Sequence, residues 1–92
     1  MKLTNKQVAL ASALADAKQA QHGAQMYFAT LPNDGDSAGA YMAWCDSLVN
    51  LSEAIRSYQT EGSRVNLARG LAMHREVDRH CSLTQLTHTQ GN

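Results

Sequence analysis

Ninety-two residues with eight basic and eight acidic side chains make a neutral chain of one-domain length. Fourteen alanines dilute an apolar stock that holds only five Val or Ile, five aromatics and one proline. That balance excludes a sheet protein of this size, and it supplies no whole-chain charge to drive nucleic-acid binding. A small, alanine-rich, all-α domain spanning residues 1–92 is the expected class.

The first helix is expected over residues 4–31. Thr4 and Gln7 stand at capping-box spacing, with Leu3 and Val8 at the staple positions around them. Its apolar stripe runs Leu3, Gln7, Leu10, Leu14, Ala17, Gln21, Ala24, Phe28, Leu31 at spacings of three and four, with two glutamines that can set register. Val8–Ala15, behind Lys2 and Lys6, imitates the apolar run of a secretory leader. The run is short, half alanine and broken by Ser12, so it fits better within a helix that continues past Asp16. A cytoplasmic setting without a membrane span is therefore expected. Two cysteines, Cys45 and Cys81, are too few for a disulfide scaffold.

Leu31–Ser37, with Pro32, Asn33, Asp34 and Gly35, reads as a loop. Asp36 or Ser37 should cap the second helix, expected over residues 37–60. An EF-hand reading fails, because the position that needs a bidentate Glu falls on Trp44, Cys45 or Ser47. The second helix carries one stripe at Tyr41, Trp44, Leu48, Leu51, Ile55 and Tyr58, and a second at Met42, Cys45 and Val49. Two stripes call for two neighbours, which would make this helix the central element.

Gly62 is expected as a left-handed helix end and Ser63 as the cap of a third helix over residues 63–83, followed by a frayed polar tail, 84–92. Leu67, Gly70, Leu71, Met73, His74, Val77 and Cys81 share one side of this helix. Arg64, Arg75 and Arg79 share the other. The whole reads as a long antiparallel hairpin of the first two helices, with a shorter third helix packed on it. Partner positions across the hairpin should sum to about 68, setting small residues of the first helix against large ones of the second. The same exercise around Gly62 brings Cys45 within about a turn of Cys81, read as two buried thiols.

His74, His80, Cys81 and His88 fall close together, but His74 and His80 diverge by about 120° on a helix, so neither a metal nor another cofactor is expected. Arg69–His74 and Arg75–His80 both read R-x4-H. The pattern resembles the motif of helical HEPN ribonucleases, which implies Arg for phosphate binding and His for acid–base work. It occurs twice within twelve residues, and surface Arg and His on a solvated face is the reading adopted.

Charge is segregated although it sums to zero: +2 over residues 1–30, −4 over 31–62 and +2 over 63–92. The thin core favours self-association, with Val8, Met26, Tyr27 and Val65 left over for a partner surface. The functional expectation is a non-enzymatic interaction protein, a homo-oligomer that also binds another protein. Small helical chains of this kind are frequent in phages and mobile elements, where they block or adapt host machinery, defence systems included. The alternative is a nucleic-acid-binding protein that uses Arg64, Arg75 and Arg79.

Overall fold

The computed structural model describes residues 2–32 and 35–90, with side chains through residue 82. Three helices, α1 (Asn5–Ala29), α2 (Ser37–Gly62) and α3 (Leu67–Gln90), make an all-α fold with no strand among the described residues. The molecule is flat and elongated, about 51 × 29 × 17 Å.

α1 starts where the capping box places it. Thr4 Oγ1 accepts from Gln7 N at 3.1 Å, and Gln7 Oε1 accepts from Thr4 N at 3.1 Å. The helix runs unbroken through residues 8–15 and Asp16. It stops at Ala29, where Thr30 caps it ahead of Pro32. The chain then turns through Gly35, whose N–H donates to the Pro32 carbonyl at 2.9 Å. A Cβ at Gly35 would stand 2.7 Å from the Leu31 side chain, so the turn needs glycine there. Asp36 is the cap of α2, accepting from Gly39 N at 2.9 Å.

The second turn departs from expectation. Gly62 has an ordinary right-handed backbone, and Ser63 closes α2, its hydroxyl donating to the Thr60 carbonyl at 2.8 Å. Turns continue through Arg64 and Val65, so Asn66 takes the capping role: its Oδ1 accepts from Arg69 N at 2.9 Å. α3 therefore begins at Leu67, not Ser63. Its backbone stays helical to Gln90, through most of the stretch expected to fray after residue 83.

α1 and α2 are antiparallel in the expected register. Gln7 bonds Glu61, and Phe28 packs on Tyr41 with ring centroids 5.8 Å apart, so the paired positions sum to 68 and 69. α3 packs on α1 and runs parallel to it: Arg69 meets Gln7, His80 meets Asp16, and the Cys81 carbonyl meets Gln19. The central element is thus α1, not α2. The reason lies in the alanines. Ala11 and Ala15 are fully buried on a face of α1 rotated away from the long stripe. Small residues there let α3 approach closely and seat Met73 and Val77. The core is Ala11, Leu14, Ala15, Tyr58, Met73 and Val77, flanked by Leu3, Leu51, Ala54, Ile55, Val65 and Cys81.

Candidate functional site

Two surfaces and one polar clasp hold the features that could carry function. The clasp joins all three helices around Gln7. Its side-chain oxygen accepts from Arg69 Nη1 at 2.9 Å as well as from Thr4 N, and its Nε2 donates to Glu61 at 3.1 Å. Arg69 also donates to the Lys2 carbonyl, and Lys6 Nζ lies 3.4 Å from Glu61. The Gln7 amide, helped by Lys6 and Arg64, holds the Glu61 carboxyl below its ordinary range against the opposing effect of burial. Gln7 is buried and its side-chain oxygen and nitrogen both have partners.

The first surface is the N-terminal half of α2. The stripe that called for a second neighbour finds none among the described residues. Of that stripe Met42 is 65% and Val49 58% exposed, and Tyr41 (53%) and Leu48 (44%), expected on the seam with α1, stand exposed beside them because the helix turns Ala40, Trp44 and Ser47 toward α1 instead. α3 follows α1 and meets α2 near the second turn, where the rings of Tyr58 and His74 pack tilted, with centroids 5.6 Å apart. Behind the exposed stripe, Phe28, Tyr41 and Trp44 form an aromatic cluster with centroids 5.5–6.3 Å apart. The Trp44 indole N–H is buried there without a hydrogen-bond partner among the described residues. The neighbouring Cys45 thiol holds the Tyr41 pKa above the ordinary value of 10.0.

The second surface is a groove of about 720 Å³ between the start of α1 and α3. Leu3, Val8, Ala68, Leu71 and Ala72 line it, with Lys2, Arg75, Arg79 and Glu76 around them. Leu67 and Leu71, expected in the core, are 79% and 46% exposed. Met73, Val77 and Cys81 take the inward positions instead.

The expected arginine face is divided. Arg75 and Arg79 share the groove, but Arg64 lies in the turn before α3, near Lys6, Leu10 and Glu61. Arg79 is paired with Glu76, which holds the Glu76 carboxyl low and raises Arg79. Met26 and Tyr27 stand exposed near the end of α1. Val65 packs against the core.

The members of the two R-x4-H patterns have structural partners of their own. Arg69 belongs to the clasp, His74 packs tilted against Tyr58, and His80 Nε2 lies 2.9 Å from Asp16 Oδ1. No group of three or more His, Cys, Asp or Glu gathers as a metal site among the described residues. His88, Asn33 and Asp34 lie outside the described side chains. Both cysteines are free and half-buried: Cys45 on the outer stripe of α2, Cys81 against the core. No described helix is long and apolar enough to cross a membrane.

Sequence reasoning missed the clasp's third member, Arg69, and the alanine seat for α3. The signal for that seat was the pair Ala11 and Ala15 at i, i+4, which a search for large apolar residues passes over.

Comparisons with protein-family models, with curated proteins and with solved structures found no match.

Proposed function

We propose that this protein is a small helical interaction module that self-associates and binds another protein. The observation that supports it is the placement of the exposed large apolar side chains. They are gathered on faces, Tyr41, Met42, Leu48 and Val49 on α2 and Leu67 and Leu71 on α3, where isolated surface residues would be scattered.

The groove between α1 and α3 suits an amphipathic helix from a partner protein. Its apolar walls would take the apolar stripe, and Lys2, Arg75 and Arg79 would favour acidic residues flanking it. An inhibitor or adaptor of host machinery, of the sort small mobile-element proteins provide, would use such a groove. The test is affinity capture from an extract of the source cells with the wild-type chain and with Leu71→Glu as baits. Stoichiometric recovery of a protein by the wild type, lost with Leu71→Glu, supports the reading. Identical recovery by both baits counts against it.

One observation favours a second reading, nucleic-acid binding: Lys2, Arg75 and Arg79 converge on the same groove. Pairing of Arg79 with Glu76 lowers the net charge available to phosphates. Anisotropy of labelled single and double strands at low salt decides it. Binding that weakens on Arg75→Ala and falls with salt supports this reading, and no binding removes it.

A further inference from the structure

We propose that the exposed face of α2 pairs with the same face of a second copy, antiparallel, about a two-fold axis through Cys45. This inference deepens the self-association reading above by naming its interface.

The argument begins with what the fold leaves undone. Among the described residues only seven apolar side chains are buried, three of them alanine, and of the large ones Met73 alone is fully shielded. Chains of this size with so small a core gain stability by association. The apolar face left open is continuous. Ala38, Tyr41, Met42, Cys45, Leu48, Val49 and Ser52 follow one another at helical spacing, with no charged residue among them.

That face is self-complementary. Its members stand in symmetric pairs about Cys45, at three, four and seven residues to either side. An antiparallel two-fold pairing sets Tyr41 against the partner's Val49 and Met42 against the partner's Leu48. Ala38 then meets the partner's Ser52. Large residues fall near the centre, flanking the small Cys45 on the axis, and small ones at the ends. The exposed fractions amount to on the order of 500 Å² per copy, so pairing removes roughly 1,000 Å² from water, the threshold of a specific interface.

Charge fits the same axis. Arg56 is the only basic residue between positions 31 and 62, and it continues the stripe beyond Ser52. In the antiparallel pair it lies within about 3 Å, along the helix axis, of the level of the partner's Asp36, counting a rise of 1.5 Å per residue. Glu53 falls level with the partner's Ser37, beside the positive end of that helix. Both matches of level occur twice by symmetry. A parallel pairing would bring like charges level with like.

Sedimentation of the full chain is the test, with circular dichroism to confirm that each variant is folded. The wild type is expected at twice 10.0 kDa. Val49→Glu and Met42→Glu, which bury a charge at the centre of the pair, should weaken association by at least about 100-fold. Leu71→Glu, on the other surface, should leave it unchanged. A short bis-maleimide should link two copies of Cys81→Ser through Cys45 and fail with Cys45→Ser, a readout that does not depend on how the Glu variants fold. A wild type that stays at single-copy mass at its highest soluble concentration overturns both this interface and self-association. A dimer that ignores Val49→Glu and does not link through Cys45 overturns this interface and leaves self-association standing.

Discussion

The two halves of α2 differ in apolar content and in fate: nine of residues 37–49 are apolar against four of residues 50–62, yet the poorer half feeds the core. Its C-terminal half gives Leu51, Ala54, Ile55 and Tyr58 to a core shared with α1 and α3. Its N-terminal half gives only one side to α1, through Trp44 and Phe28, and leaves Tyr41, Met42, Leu48 and Val49 in solvent. The cause is the course of α3. Ala11 and Ala15 draw it onto α1, the clasp of Gln7, Glu61 and Arg69 fixes its start, and it meets α2 close to the turn. The stripe pattern of a helix therefore records how many neighbours it needs, not whether the same chain supplies them.

The largest expected contrast comes from truncating one side chain in each region. Met73→Ala truncates a fully buried large side chain of the shared core and should cost about 2–5 kcal/mol in urea unfolding. Val49→Ala should cost the single copy no more than about 0.5 kcal/mol, because the side chain is mostly in water. Equal losses would erase the distinction between the halves.

Next in size is the clasp. Gln7→Ala removes the capping box and strips Glu61 and Arg69 of a shared partner. A loss of about 1–2 kcal/mol is expected, measured by thermal or urea unfolding. No loss would mean that the clasp is incidental to the seating of α3.

Acid sharpens the same point. The fold holds Glu61 below its ordinary pKa, chiefly through the Gln7 amide. A carboxylate lowered in the fold contributes stability above its unfolded value, about 4.3, and loses it as pH falls through the folded value. Wild type should therefore lose its advantage over Glu61→Gln as pH drops below about 4.3. Glu76, held low by Arg79, adds the same slope to both chains. A difference that stays constant with pH would contradict the assigned role of Glu61.

The smallest effect belongs to the open end. Trp44→Phe keeps a ring against Phe28 and removes the unpartnered indole N–H. Stability should hold or rise by up to about 1 kcal/mol, since a buried donor without a partner costs roughly that much or more. A clear loss in urea unfolding would mean that the indole nitrogen has a partner in solution.

Much of this architecture was legible before any coordinates. Thr4 and Gln7 announced the start of α1, Asp36 that of α2, and the register of the hairpin followed from the loop between them. The course of α3 was hidden because its seat is alanine, which carries little weight in a pattern of large apolar residues. Ser63 looked like a better cap than Asn66, and only the extra turn through Arg64 and Val65 decides between them. The candidate surfaces were half legible. The second stripe of α2 was visible, but its exposure depends on where α3 goes. Arg75 and Arg79 share a groove, while Arg64 was separated from them by that same late start of the helix.

The central claim is that a second copy covers what α3 leaves open on α2. An isotope-filtered NOE experiment on a mixture of labelled and unlabelled chains tests it most directly. Cross-peaks between the Met42 methyl of one copy and the partner's Leu48 methyls are predicted, together with contacts between Tyr41 and the partner's Val49. Intermolecular cross-peaks confined to the groove of α1 and α3, or none at all, would contradict it.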